Sequence, residues 1–166
     1  MFAPKLLAVV SLLSGAVFAA PAPAPAAELT DADGASVLLK RGEGIHLMNC
    51  EPTNGATNYI SAVVYCANDG NCNNLSYSHS SSNVCVKSTS GSSGAYHVWE
   101  GSTQSCTFSS GVTFSWAIGK EAQTWPDYTY VGTGVNGYST FSGYKDDKHY
   151  GVTYNSHKCR SIYYYI

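Results

Sequence analysis

Charge is scarce in this sequence. Only 12% of its 166 residues are Asp, Glu, Lys or Arg, and the formal net charge is −2. Beyond residue 41 the basic side chains are Lys87, Lys120, Lys145, Lys148, Lys158 and Arg160, scattered along the chain. Phosphate backbones require a basic stripe, so nucleic acid is not an expected partner. There is no CxxC pair, which removes zinc-ribbon spacing. There is also no GxSxG elbow and no acidic loop with a bidentate Glu at EF-hand spacing. No amphipathic helical period is visible. Past the leader, no apolar run approaches the roughly 18 residues that would anchor a chain in a bilayer.

The N-terminus has the composition of an export signal. Lys5 supplies positive charge, Leu6 to Phe18 is apolar, and Val17 and Ala19 are small residues suited to cleavage near Ala19 or Ala20. Residues 1–19 are therefore read as a signal peptide. Residues 20–41 form an Ala-Pro-rich, acidic spacer that favours extended structure over a packed core. The spacer ends in Lys40-Arg41, a dibasic pair placed for a kexin-type maturation protease. Residues 42–166 are then a single secreted domain.

All six cysteines lie in that domain. An even count in an oxidising compartment predicts disulfides, of which fifteen connectivities are possible. The preferred set is Cys50–Cys159, clamping the two ends of the domain, with Cys66–Cys72 and Cys85–Cys106, the last joining neighbouring strands. Short runs bounded by Gly, Asn and Ser predict about eight to ten antiparallel strands, hence an all-β sandwich or closed barrel. The stretch Tyr96–Ile118 is read as three of them: Tyr96–Glu100, Gln104–Phe108 and Val112–Ile118. In the last, Val112, Phe114, Trp116 and Ile118 alternate with smaller residues and mark a core face. Tyr128–Gly132, Tyr138–Tyr144, Tyr150–Asn155 and Cys159–Ile166 are read as four more, with Val131 to Gly137 as a turn. The C-terminal SIYYYI is expected inside the sheet, because a free edge of that composition would invite aggregation.

Few residues invite chemistry. His97 and Glu100 beside Tyr96 have the acid–base composition of small secreted fungal ribonucleases. A strand, however, would point positions 97 and 100 to opposite faces, and Arg160 is remote in sequence. Asp146, Asp147 and His149 form one polar cluster, and Asn68, Asp69 and Asn71 another. Each is explained by a solvated turn, so no metal, cofactor or catalytic residue is assigned. Asn74-Leu75-Ser76 is a glycosylation sequon in a polar loop. The aromatic excess is the better functional hint, with thirteen tyrosines and three tryptophans. Trp125, Tyr128, Tyr130, Tyr138 and Tyr144 lie in the Gly-rich C-terminal part, beside turn residues where a recognition surface would form.

A signal peptide, an Ala-Pro spacer, a dibasic junction and a cysteine-paired Tyr/Gly-rich domain together resemble small secreted cysteine-rich proteins of filamentous fungi. The resemblance covers the organisation of the whole chain and carries no diagnostic motif. It implies a secreted, monomeric, non-enzymatic interaction protein of the effector or elicitor type. Its partner would be an extracellular host protein or glycan. A carbohydrate-binding module and a ribonuclease-like toxin are the alternatives.

Overall fold

The computed structural model describes residues 42–166 apart from Asn54 and Ser78. The signal peptide, the spacer and Lys40-Arg41 lie outside the described residues. Nine strands follow in order: β1 (Gly44–Pro52), β2 (Tyr59–Cys66), β3 (Val84–Ser90), β4 (Thr103–Thr107), β5 (Thr113–Ala117), β6 (Tyr130–Val135), β7 (Thr140–Lys145), β8 (Tyr150–Tyr154) and β9 (His157–Tyr165). Among the described residues there is no α-helix, only three short 3-10 turns at Asp69–Asn73, Ser81–Asn83 and Ala122–Thr124. No helix among them is long and apolar enough to cross a membrane.

All strand pairs are antiparallel, in the order β3-β2-β1-β9-β7-β6-β5-β4, with β8 also pairing with β9. The two ends of this sheet, β3 and β4, are covalently joined by Cys85–Cys106. Beside the bridge, Lys87 Nζ donates to the Ser105 carbonyl at 2.8 Å. The sheet thus curls into a nearly closed barrel, with a disulfide at the seam where ladder hydrogen bonds stop. Cys50–Cys159 and Cys66–Cys72 complete the set preferred from the sequence.

The barrel interior holds Ile45, Leu47, Val63, Phe114, Trp116, Ile118, Tyr163 and Tyr165, all at most 5% exposed. β1, β2 and β9 are buried on their other face too. There Met48, Cys50, Ala62, Val64 and Cys159 pack with Val152 of β8 and Cys72 of the 69–73 turn. Burial on both faces is why NYISAVVYC reads as a continuous apolar run rather than an alternating one. SIYYYI lies in β9, at the middle of the sheet order.

Two readings are corrected. Tyr96–Glu100 forms no strand. The His97 N–H donates to Ser61 Oγ at 2.9 Å instead of to a ladder carbonyl, so the backbone is satisfied without sheet pairing. Val131–Val135 is strand, not turn. Its glycines make room for packing, since a Cβ on Gly134 would stand 2.2 Å from the Phe114 ring. The hairpin turn comes later, where Asn136 Oδ1 accepts from the N–H groups of Tyr138 and Ser139 at 2.9 and 2.8 Å.

Candidate functional site: an acidic cleft at the end of an aromatic row

Cross-strand register builds a row of rings. Tyr130 of β6 pairs with Tyr144 of β7, Tyr144 with Tyr164 of β9, and Tyr164 with His46 of β1. The ring centroids of successive members are 5.9, 5.4 and 5.9 Å apart. Directly paired positions bring side chains on one face into contact, so four strands present one continuous aromatic strip. Tyr130 is 52% exposed, Tyr144 and Tyr164 are half-buried, and His46 is buried.

The strip ends in a cleft of about 580 Å³ whose walls include His46, Tyr164, Tyr128, Asp69, Asn73 and the 146–149 loop. β9 pairs with β8 through residues 157–160 and with β7 through residues 163–165. In the gap between them, Asp146 N donates to the Ile162 carbonyl and Ser161 N to the His149 carbonyl, at 2.9 and 3.1 Å. This stitching fixes Asp146, Asp147 and His149 at the cleft.

The opposite wall is the 69–73 turn, held to β2 by Cys66–Cys72. Two glycines let it approach. A Cβ on Gly44 would lie 2.3 Å from Asp69 Oδ1, and one on Gly151 would lie 2.2 Å from the Cys72 carbonyl oxygen. The turn thereby presents Asp69 to His46 Nε2 at 2.9 Å and Asn73 Oδ1 to His149 Nε2 at 2.7 Å. On its other nitrogen, His46 Nδ1 meets Ser161 Oγ at 2.8 Å. The Ser–His–Asp order is that of a nucleophilic triad, but Ser161 is 0% exposed, so no substrate reaches its hydroxyl. Burial makes this array a support that orients the base of the cleft.

At the rim, the Tyr128 hydroxyl donates to Asp147 Oδ2 at 2.7 Å. That bond, followed by the His149 hydrogen bond, pulls the Asp147 carboxyl down to about 2, and the same Tyr128–Asp147 bond, with desolvation next, pushes the phenol up to about 12. Asp147 is therefore anionic at any physiological pH. Tyr128 has φ 65°, a left-handed conformation that is an outlier for a bulky residue. Its N–H, bonded to the Lys145 carbonyl at 2.8 Å, helps hold it there. Local strain of this kind is retained where the surroundings over-determine it, commonly at working sites.

Among the five aromatics proposed from the sequence, Tyr130 and Tyr144 belong to the strip and Tyr128 to the cleft. Tyr138 is 85% exposed at the far tip of the β6–β7 hairpin, away from the cleft. Trp125 is half-buried against the barrel core, and its carbonyl accepts from Lys145 Nζ. The two polar loops read separately, 68–71 and 146–149, meet at one cleft, the first contributing Asp69 to one wall and the second Asp146, Asp147 and His149 to the opposite one. His46, Tyr164 and Ser161 were missed because they sit in strands whose apolar neighbours dominate. Only their polarity within an apolar run marks them out. Asn74, the sequon residue, is exposed.

A second cleft, of about 420 Å³, is lined by Tyr96, His97, Glu100 and Arg160 together with Lys145 and Lys148. Irregular backbone at 95–100 places His97 and Glu100 on the same cleft, against the opposite-face expectation. β1–β9 pairing brings Arg160 close enough for an ion pair with Glu51. The groups are engaged with one another. Glu100 is buried and accepts from the Tyr163 hydroxyl at 2.5 Å and from Gln123 Nε2 at 2.9 Å. The Tyr150 hydroxyl donates to Glu51 Oε2 at 3.0 Å.

Fold and site define a disulfide-seamed, nine-stranded barrel with an aromatic strip running into an acidic cleft. Set against known proteins, the chain matches no family model, no curated protein and no solved structure.

Proposed function

We propose that the protein is a secreted recognition protein that binds carbohydrate along the Tyr130–Tyr144–Tyr164 strip, with the acidic cleft anchoring one end of the ligand. The observation that carries this reading is the register-built row of tyrosines ending at Asp147 and Asn73. A tyrosine face offers apolar area to the C–H face of a sugar while its hydroxyl stays available for hydrogen bonding. Carboxylate and amide oxygens accept from sugar hydroxyls and fix orientation. Export and processing are supported by the leader and the dibasic junction. Gly42, the residue that cleavage after Arg41 would free, lines the same cleft. An effector or elicitor role, as the chain organisation implies, would then be exercised by capturing a host or cell-wall glycan. Binding of the secreted protein to a glycan array, abolished by Tyr144→Ala while Tyr138→Ala leaves it intact, tests the assignment. Equal binding by both variants would reject it.

The second cleft favours one other reading, a ribonuclease-like hydrolase. Its support is the convergence of His97 and Glu100 with Arg160, which is far from them in the chain. RNA turnover that disappears with His97→Ala would select this reading. Because Glu100 and Arg160 already hold intramolecular partners, the carbohydrate reading is preferred.

A further inference from the structure

We propose that the open end of the barrel binds a small alkylated ammonium ion, held by Tyr65, Phe108, Tyr138 and Glu43. These four side chains line a cavity of about 400 Å³ that shares no residue with either cleft. It lies where β1 begins, β2 ends and the β4–β5 and β6–β7 turns come together. Barrel mouths are favoured places for small-molecule sites, and this volume falls at the lower end of their range. The floor is the barrel core. Ile45 and Phe108 are 0% and 6% exposed, and Val112 packs against the same cluster.

The walls carry a single charge. Among the described residues that line the cavity, Glu43 alone is charged. Its Oε2 accepts from the Tyr65 hydroxyl at 2.9 Å, which fixes the carboxylate, while Oε1 has no donor among the described residues. Burial, and after it the bond to Glu43, raises the Tyr65 phenol above its ordinary value, so the hydroxyl remains a donor. A lone carboxylate in a mainly apolar cavity is complementary to a cation.

The rings decide which cation. Tyr65, Phe108 and Tyr138 stack on no other ring among the described residues, and no Lys or Arg covers them. Tyr138 is 85% exposed, yet Asn136 Oδ1 accepts its N–H at 2.9 Å and fixes the hairpin tip that carries it. Aromatic faces attract cations, and alkylated ammonium groups are recognised by several such faces together. A primary ammonium would seek three acceptors. The polar atoms nearby are already engaged: Asn136 Oδ1 by two N–H groups, and the Ser82 hydroxyl by Ser80 at 2.9 Å. An alkylated ammonium requires only a counter-charge and ring faces, which this cavity supplies. The Asn83 side chain, without a bond to any described residue, is left for a ligand hydroxyl.

The test is an NMR titration of the isotope-labelled protein with choline chloride. Two close analogues serve as controls: ethanolamine, charged but unmethylated, and dimethylbutanol, in which carbon replaces the quaternary nitrogen. The ring signals of Tyr65, Phe108 and Tyr138 should follow one saturating curve, with choline about tenfold tighter than either analogue. Glu43→Gln and Tyr138→Ala should each weaken choline about fivefold. Both side chains are at least partly exposed, and far-UV circular dichroism checks that the fold survives. Equal affinity for choline and dimethylbutanol, or for choline and ethanolamine, overturns the proposal. So does the absence of saturable binding, or binding indifferent to both substitutions. Sedimentation with phosphatidylcholine vesicles without any response to free choline would assign the recognition to a lipid surface and also overturn it. Tyr144→Ala, which ends glycan binding in the carbohydrate reading, should leave choline binding unchanged. Either reading can therefore fail without the other.

Discussion

Asp147 reports the state of the cleft most directly. Its carboxyl is held at about 2, against an ordinary 3.8, first by the Tyr128 hydroxyl and then by His149. The unfolded chain therefore takes up this proton before the folded one does. The stabilisation is fully present above about pH 4 and is lost as the pH falls through about 2. The side chain is too exposed for the effect to be large, so the midpoint rather than the stability is the useful readout. Carboxyl NMR titration should place Asp147 near 2 in the native protein. In Tyr128→Phe the midpoint should move toward 3.8, and an unmoved one would remove the hydroxyl from the account. At Gly44 steric space decides. An alanine Cβ would meet Asp69 Oδ1 at 2.3 Å and Cγ at 3.0 Å. Gly44→Ala should cost about 1–3 kcal/mol by forcing the 69–73 turn away from His46. Urea denaturation measures that loss, and an unchanged midpoint would mean that the turn gives way freely.

At the scale of elements, the three disulfides have different tasks. Cys85–Cys106 closes the seam between the end strands, Cys50–Cys159 ties β1 to β9, and Cys66–Cys72 pins the turn that carries Asp69 and Asn73. Their sequence separations are 21, 109 and 6. In the chain-entropy picture, removing each pair should cost about 3, 5 and 2 kcal/mol respectively. Paired Cys→Ala variants under chemical denaturation should follow that rank. The smallest loss, at Cys66–Cys72, should carry the largest loss of ligand binding, because that bridge sits at the cleft. A reversed rank would mean that native-state strain outweighs loop entropy. Much of this level was legible in the sequence. Alternation in β5, the even cysteine count and the turn residues all carry local physical meaning. Tyr96–Glu100 deceived because its residues favour strand, while Ser61 of β2 supplies the partner its backbone takes. Val131–Val135 deceived because Gly134 answers to the Phe114 ring and Gly132 to the Ala117 carbonyl, contacts that no local pattern encodes.

For the whole molecule, the proposed binding surface belongs to topology rather than to any segment. Tyr130, Tyr144, Tyr164 and His46 become neighbours only because β6, β7, β9 and β1 lie side by side in the sheet. Asp69 and His149 reach one cleft only because β9 leaves a gap between β8 and β7 for the 146–149 loop. The sequence could mark tyrosine-rich, polar loops as candidates. It could not tell that Tyr138 lies apart, that Trp125 turns into the core, or that His46 closes the row. A nearly closed barrel supplies the rigidity that holds such a row in place without a helix. The central claim is that this row and its cleft are the binding surface. Its most direct test is an NMR titration of the isotope-labelled protein with the best oligosaccharide from an array. The ring signals of Tyr130, Tyr144 and Tyr164 and the imidazole of His149 should shift together along one saturating curve, while Tyr138 and His97 stay still. Shifts confined to Tyr138, or centred on His97 and Arg160, would contradict the account.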